Sequence, residues 1–306
     1  MGLWRYLWLA VPVAGLVELG AHWAFARRAP TVASWEAARN PLLELRRGSE
    51  LIVVAPHWAE PMARHAFGDA LMPLRDVARP DESATPRAVE VAILGQGAPE
   101  LAGWRLVEER KAGSFRFRVL DNPSPQKVLF DFVDHVGADR ASAFVRTGET
   151  RSPCPWDPAA RVSNGGLGGN PTFPVQRFDC AGGEYFFVGV TVIDDDHEYR
   201  PRRCIWAHPP EAGSTLVRFE RVPLGRVIRG YGMLPWLIHR DGTGSPVRME
   251  VRVGGRSIGR FVHEDAEGWK QFELPTGAAG QVTDVEFEVS SERAQNRHFC
   301  FQADTR

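Results

Sequence analysis

The sequence predicts an α+β protein that is mainly β: an N-terminal transmembrane helix, a small α/β domain and a C-terminal antiparallel β-sandwich. Three observations carry this. Val247-Arg-Met-Glu-Val-Arg-Val253 alternates apolar and charged residues without a break, and Gly254-Gly255 separates it from a second strand, Arg256–Val262. A period of two puts Val247, Met249, Val251 and Val253 on one sheet face and Arg248, Glu250 and Arg252 on the other, while Gly-Gly supplies the positive φ of a tight hairpin. Upstream, helical and strand-like patterns alternate between about residues 33 and 110, the order of an α/β unit. At the start, residues Leu3 to Ala26 are apolar except for Arg5, Glu18 and His22, a length that can cross a bilayer.

The 306 residues suffice for two domains. Apolar residues make up 43% and charged ones 25%, which excludes a disordered chain. A formal net charge of −1 gives no electrostatic draw toward nucleic acid, and none is expected as a partner.

The expected layout is a signal anchor over residues 1–29, an α/β domain over 30–150 and a sandwich over 151–306. Trp4, Trp8 and Trp23 flank the apolar segment where interfacial aromatics belong. A cleaved signal peptide competes, but the run exceeds a usual h-region and no small-x-small site precedes Arg27-Arg28. A buried helix is the other alternative. Residues 3–26 are thus the expected contact with the lipid bilayer. Counting Arg27 and Arg28 against Arg5 keeps the body in the cytoplasm. Cysteine usage points the other way. Cys154, Cys180, Cys204 and Cys300 are even in number, confined to the C-terminal half and free of CxxC spacing. They read as two disulfides in an oxidising compartment rather than a zinc site. The body is therefore expected on the extracytoplasmic (periplasmic) side, since long domains translocate largely regardless of flanking charge.

Along the chain, Trp35, Ala38, Leu42 and Leu45 predict a helix over 34–47. Glu50–Pro56 predicts a strand, and His57 to Met72 a helix with Met62, Ala66, Phe67 and Leu71 inward and Pro61 in its first turn. Further strands are expected at 88–94, 114–120 and 127–133. Residues 150–174, rich in Pro, Gly and Asn, read as a linker. Beyond it strands are expected at 185–193, 204–207, 216–222, 270–274, 282–289 and 298–302.

Ile205-Trp-Ala-His-Pro209, Leu216–Gly225, Val247–Val253 with Gly255, Gly268-Trp269 and Asp284-Val-Glu-Phe-Glu-Val289 form a familiar series. It resembles galactose-binding-like jelly-roll modules, in particular carbohydrate-binding modules of bacterial glycosidases, over roughly the last third of the chain. The resemblance implies a jelly-roll sandwich that binds ligands at loops on one end, and a fold that often holds a structural calcium. It also implies that Cys204 and Cys300 lie on neighbouring strands, with Cys154 then paired to Cys180; other connectivities stay open. Leu51-Ile-Val-Val-Ala-Pro-His-Trp58 is faintly similar to soluble domains of membrane glycosyltransferases.

Tyr231, Trp236, His239, Arg240 and Asp241 form the most ligand-like group, expected in the long connection between two strands. Aromatic faces stack on sugar rings, and Arg and Asp bond hydroxyls; a packed loop competes. Asp194, Asp195 and Asp196 are candidate calcium ligands, although the EF-hand spacing is absent and a solvated turn competes. Asn164–Asn170 as an anion cradle lacks the Lys-Ser/Thr of a P-loop. No cofactor is expected. The leading functional expectation is a membrane-anchored, extracytoplasmic glycan-recognition or envelope-assembly accessory protein, with a glycan or envelope polysaccharide and a membrane glycosyltransferase as partners. The first alternative is a hydrolase or transferase acting on glycan or lipid-linked sugar through His57 and Glu60, placed at the carboxyl end of a strand where catalytic groups collect. The second is a structural protein-interaction module.

Overall fold

The computed structural model describes residues 7–26, 29–161, 174–183, 185–195, 200–235, 240 and 242–306. The chain forms two compact units: Met1–Pro73 with Thr85–Ser124, and Leu74–Ala84 with Pro125–Arg306.

In the first unit, α1 (Leu7–Ala26) is a 20-residue helix. Its side chains from 10 to 24, where they are described, all stand exposed. Among the described residues no helix is long and apolar enough to cross a membrane. The transmembrane span expected over 3–26 is therefore not supported among the described residues. α2 (Val32–Leu45) begins where Thr31 accepts a hydrogen bond from the Ser34 amide, an N-cap. It buries the expected face, Trp35, Ala38, Leu42 and Leu45. Trp35 meets Phe67 and Phe115 edge to face. β1 (Leu51–Ala55) is wholly buried.

α3 (Glu60–Phe67) is shorter than expected; of the residues expected inward, Phe67 and Leu71 are buried. It buries Glu60, Ala63 and Phe67, whereas Met62 is exposed. The apolar spacing misled because a 3₁₀ turn at His57–Ala59 precedes the helix and Gly68, at φ 78°, ends it. β2 (Arg87–Ala92), β3 (Arg105–Ala112) and β4 (Phe115–Asp121) complete a sheet of order β1-β2-β4-β3. Only β1 and β2 run parallel.

The second unit starts with the single turn α4 (Leu74–Val77). Its strands are β5 (Phe130–Asp131), β6 (Ala141–Thr147), β7 (Thr150–Cys154), β8 (Trp156–Asp157), β9 (Arg177–Asp179), β10 (Phe187–Asp195), β11 (Arg200–Ala207), β12 (Ser214–Pro223), β13 (Val227–Met233), β14 (Val247–Val253), β15 (Arg256–His263), β16 (Lys270–Pro275), β17 (Val282–Ser290) and β18 (Cys300–Thr305). One sheet runs β16-β13-β18-β11-β10-β9-β8 with β5 beside β18, the other β15-β14-β17-β12-β6-β7. The core lies between them, with Phe132, Phe219 and Phe287 meeting edge to face at its centre. Truncating such a ring to alanine costs about 3–5 kcal/mol.

The expected domain boundary at 150/151 falls inside the β6–β7 hairpin, where Thr147 pairs with Thr150. Residues 125–150 belong with the sandwich because β6 pairs with β12. The linker expected over 150–174 is likewise strand at its start, in β7 and β8; Asn164–Asn170 lies outside the described residues. Of the strand expected over 127–133 only Phe130–Asp131 forms.

Both disulfides are present: Cys154–Cys180 and Cys204–Cys300. β11 and β18, which carry Cys204 and Cys300, are adjacent strands inside the first sheet.

Candidate functional site

The outer face of the six-stranded sheet follows from the same alternation that builds the core. β14 buries Val247, Met249, Val251 and Val253 and turns Arg248, Glu250 and Arg252 outward. β17 buries Val285, Phe287 and Val289, which sends Asp284, Glu286 and Glu288 to the outer face. Arg218 on β12, Arg146 on β6 and Arg151 on β7 complete a polar surface. The Gly254-Gly255 turn, at φ 55° and 81°, closes one end as expected of the hairpin.

Arg146, Arg151, Arg218, Arg252, Gly254, Gly255, Thr283, Asp284 and Glu286 line an open groove of about 630 Å³ on this face. The charges are layered. Glu288 and Glu286 are only 5% and 12% exposed, whereas Arg151 is 44% exposed. Glu288 accepts from Ser214 Oγ at 2.7 Å and from Arg146 and Arg252. Glu286 accepts from Arg151 at 3.0 Å and from Arg252 at 3.3 Å. Arg218 donates to Asp284; that bond holds the Asp284 carboxyl below its ordinary pKa and raises the Arg218 guanidinium. Glu288 thus holds Arg146 and Arg252 from below, while Glu286 and Asp284 hold Arg151 and Arg218 within the groove lining.

Sequence reading missed this groove as a site. The alternating Arg and Glu of β14 and β17 were visible. Their partners were not, because Arg146 and Glu288 are 142 residues apart and Arg151 and Glu286 are 135 apart.

The expected ligand group is placed differently. Tyr231 is not in a loop. It lies in β13, is buried, and donates its hydroxyl to Asp81 Oδ2 at 2.7 Å. The reason is close packing: a Cβ on Gly230 would sit 2.1 Å from the Gln302 carbonyl oxygen, so the glycine there lets β13 pair with β18. Arg240 is an exposed turn residue. Trp236, His239 and Asp241 lie outside the described residues. Asp194 is exposed on β10, the side chain of Asp195 and all of Asp196 lie outside the described residues, and no cluster of metal-ligating side chains occurs among the described ones.

In the first unit His57 follows β1, as expected. Its Nε2 sits 2.9 Å from both carboxylate oxygens of Glu100. The structure therefore couples His57 to Glu100, which sequence reading did not single out, rather than to Glu60. Glu60 is buried three residues on, and its Oε1 has no hydrogen-bond partner among the described residues.

No family model matches this chain. No curated protein matches it either. Among solved structures it is similar to the CBM51 module of a Clostridium perfringens GH95 protein, solved with methyl-galactose, at 12% identity and a TM-score of 0.29, covering 38% of this chain and 81% of that one. It is also similar to the tandem CBM51 modules of a Streptococcus pneumoniae family 98 glycoside hydrolase, at 10% identity and 0.31, covering 75% and 74%. A third is the CBM51-2 and INT structure of Clostridium perfringens ZmpB, solved with GlcNAc, at 10% and 0.24, where the match spans 42% of this chain and 40% of that one. These neighbours are carbohydrate-binding modules of the kind the sequence resembles. At such scores the likeness assigns no ligand here.

Proposed function

We propose that this protein is a membrane-anchored, extracytoplasmic accessory protein that recognises glycan of the envelope or of exported material, beside a membrane glycosyltransferase. The groove on the six-stranded sheet carries the reading: it is open, its walls are hydrogen-bonding side chains held by ion pairs, and its volume of about 630 Å³ is that of a small-ligand site. Two disulfides support the oxidising side of a membrane. The exposed apolar side chains of α1, among them Val11, Leu16 and Leu19, support an anchor, because a lipid phase would cover what no described residue does. The test is a glycan array probed with the full chain in detergent micelles. Binding to envelope polysaccharides is expected; a blank array overturns the reading. Alkaline extraction of membranes tests the anchor, which requires the chain to stay with the bilayer.

A second reading, a hydrolase or transferase on glycan or lipid-linked sugar, draws on the His57–Glu100 contact at the carboxyl end of β1. It requires turnover that His57→Gln abolishes without a change in melting temperature.

A further inference from the structure

We infer that the groove takes an acidic glycan, one bearing carboxylate, sulfate or phosphate groups; this rests on the glycan reading above. Three observations lead there. First, the lining holds four guanidiniums against two carboxylates, Asp284 and Glu286. The other anchoring carboxylate, Glu288, is buried beneath. Arg146, Arg151 and Arg218 are 36%, 44% and 42% exposed, against 36% for Asp284, 12% for Glu286 and 5% for Glu288, so a ligand meets more cation than anion in a concave site where the field of the guanidiniums adds.

Second, Arg146 and Arg151 stand directly opposite each other across the β6–β7 pair. Like charges in that position are destabilising unless an anion sits between or beneath them. Each is tied to a different carboxylate, Glu288 and Glu286. Arg146 commits one nitrogen to Glu288 and Arg218 one to Asp284. A guanidinium carries five N–H donors in a planar fork that matches carboxylate, sulfate and phosphate oxygens. The remainder of the Arg146 and Arg218 forks is available to a ligand, while Arg151 lays both terminal nitrogens on Glu286 at 3.0 and 3.4 Å and holds its positive charge at the groove edge.

Third, the described lining residues include no aromatic ring. Neutral sugars are gripped largely by stacking on such rings. A groove without a platform must take its affinity from charge-assisted hydrogen bonds, and these favour an anionic ligand.

The test is titration calorimetry with the full chain in detergent, using a panel of acidic polysaccharides that includes polygalacturonate, alginate and a sulfated glycan. The fully methyl-esterified form of polygalacturonate serves as the neutral match and inorganic polyphosphate as the non-sugar anion. At least one acidic polymer should bind at least tenfold more tightly than its neutral match and than polyphosphate, and more weakly as salt rises. Arg151→Gln, on an exposed edge strand, should weaken that binding about tenfold with an unchanged melting temperature. Arg151→Lys, which keeps charge but loses the fork, should fall between. Equal binding of esterified and free polymer overturns the acidic preference and leaves the glycan reading standing. Polyphosphate binding as tightly as any polysaccharide overturns both. Full affinity in Arg151→Gln places the ligand elsewhere and overturns the assignment of this groove.

Discussion

Tyr231 lies flat against Trp269, with ring centroids 5.4 Å apart and planes 2° from parallel. The pair anchors the segment Leu74–Ala84 to the outer face of the eight-stranded sheet. Tyr231 donates to Asp81, Trp269 Nε1 donates to the Pro80 carbonyl at 3.2 Å, and Arg229 reaches the same Asp81 oxygen at 2.8 Å. Burial works to raise the Asp81 pKa. The hydrogen bonds from Ser83 and Tyr231 and the charges of Arg229 and Arg306 outweigh it and hold the carboxyl below its ordinary value. Tyr231, which the sequence offered to a ligand, is committed to the fold.

Tyr231→Phe keeps the stacking and removes one donor from a buried carboxylate. A hydrogen bond to a charged group contributes about 1.5–3 kcal/mol. The melting temperature should fall by roughly 3–12 °C, at about 2–4 °C per kcal/mol for a domain of this size, with glycan affinity unchanged. A variant that melts with the parent would show that this bond does not hold the segment down.

What the sequence made legible was local. The alternation in Val247–Val253 and Val285–Val289 gave strands, faces and hairpin, because a period of two is written in adjacent residues. Trp35, Ala38, Leu42 and Leu45 did the same for α2. β3 was missed: Arg105–Ala112 is an almost wholly exposed edge strand, so no buried face imposed alternation on it. The groove and the Asp81 network were illegible for another reason. Asp81 meets Tyr231 across 150 positions, a juxtaposition made by topology alone.

Acid should destabilise the second unit through a histidine pair. The rings of His208 and His298 are 5.0 Å apart among Trp206, Tyr185 and Phe186. Burial pushes His208 down to about 4; burial, then the charge of His208, pushes His298 down to about 3. Below pH 6.5 the unfolded chain binds protons that the folded one refuses, so stability falls as pH drops from 6.5 toward 4. Asp131 opposes this. Burial, then neighbouring Asp134, raises it to about 6. Between pH 6 and 3.8 the folded state binds its proton and the unfolded state does not, so that contribution grows on acidification. Two histidines, at roughly 3 kcal/mol or more each, outweigh one aspartate. Melting temperature should fall from pH 7 to pH 4.5, and His298→Phe should flatten the slope. Asp131→Asn should raise the melting temperature at pH 7 more than at pH 4.5. A profile that rises on acidification would reverse the assignment.

The two disulfides should differ in how readily they open. Cys204 and Cys300 are fully buried beside Ile193 and Met233, whereas Cys180 is only partly buried. Thiolate attack needs access. Mild reductant should therefore open Cys154–Cys180 first, with Cys204–Cys300 protected until the unit unfolds. The closed loops span 26 and 96 residues, and chain entropy gives each bond about 3–5 kcal/mol. Replacing either pair by serine should lower the melting temperature by several degrees. Peptide mapping that found four free thiols in protein from its native compartment would reject the extracytoplasmic placement.

Glu288 separates what stabilises the groove from what fills it. Its carboxylate is buried and receives Ser214, Arg146 and Arg252. Glu288→Gln keeps the shape, retains one acceptor oxygen and deletes the negative charge under two guanidiniums. Because those arginines are partly solvated, the loss should be about 1–3 kcal/mol rather than the larger cost of orphaning a fully buried ion. The same deletion makes the groove more positive. If the groove takes an acidic glycan, stability should fall while affinity for that glycan rises, and the rise should shrink at high salt. A fall in both would mean that the arginines, once released from Glu288, no longer hold the geometry that ligand needs. Melting curves and calorimetry on this one variant distinguish the two outcomes.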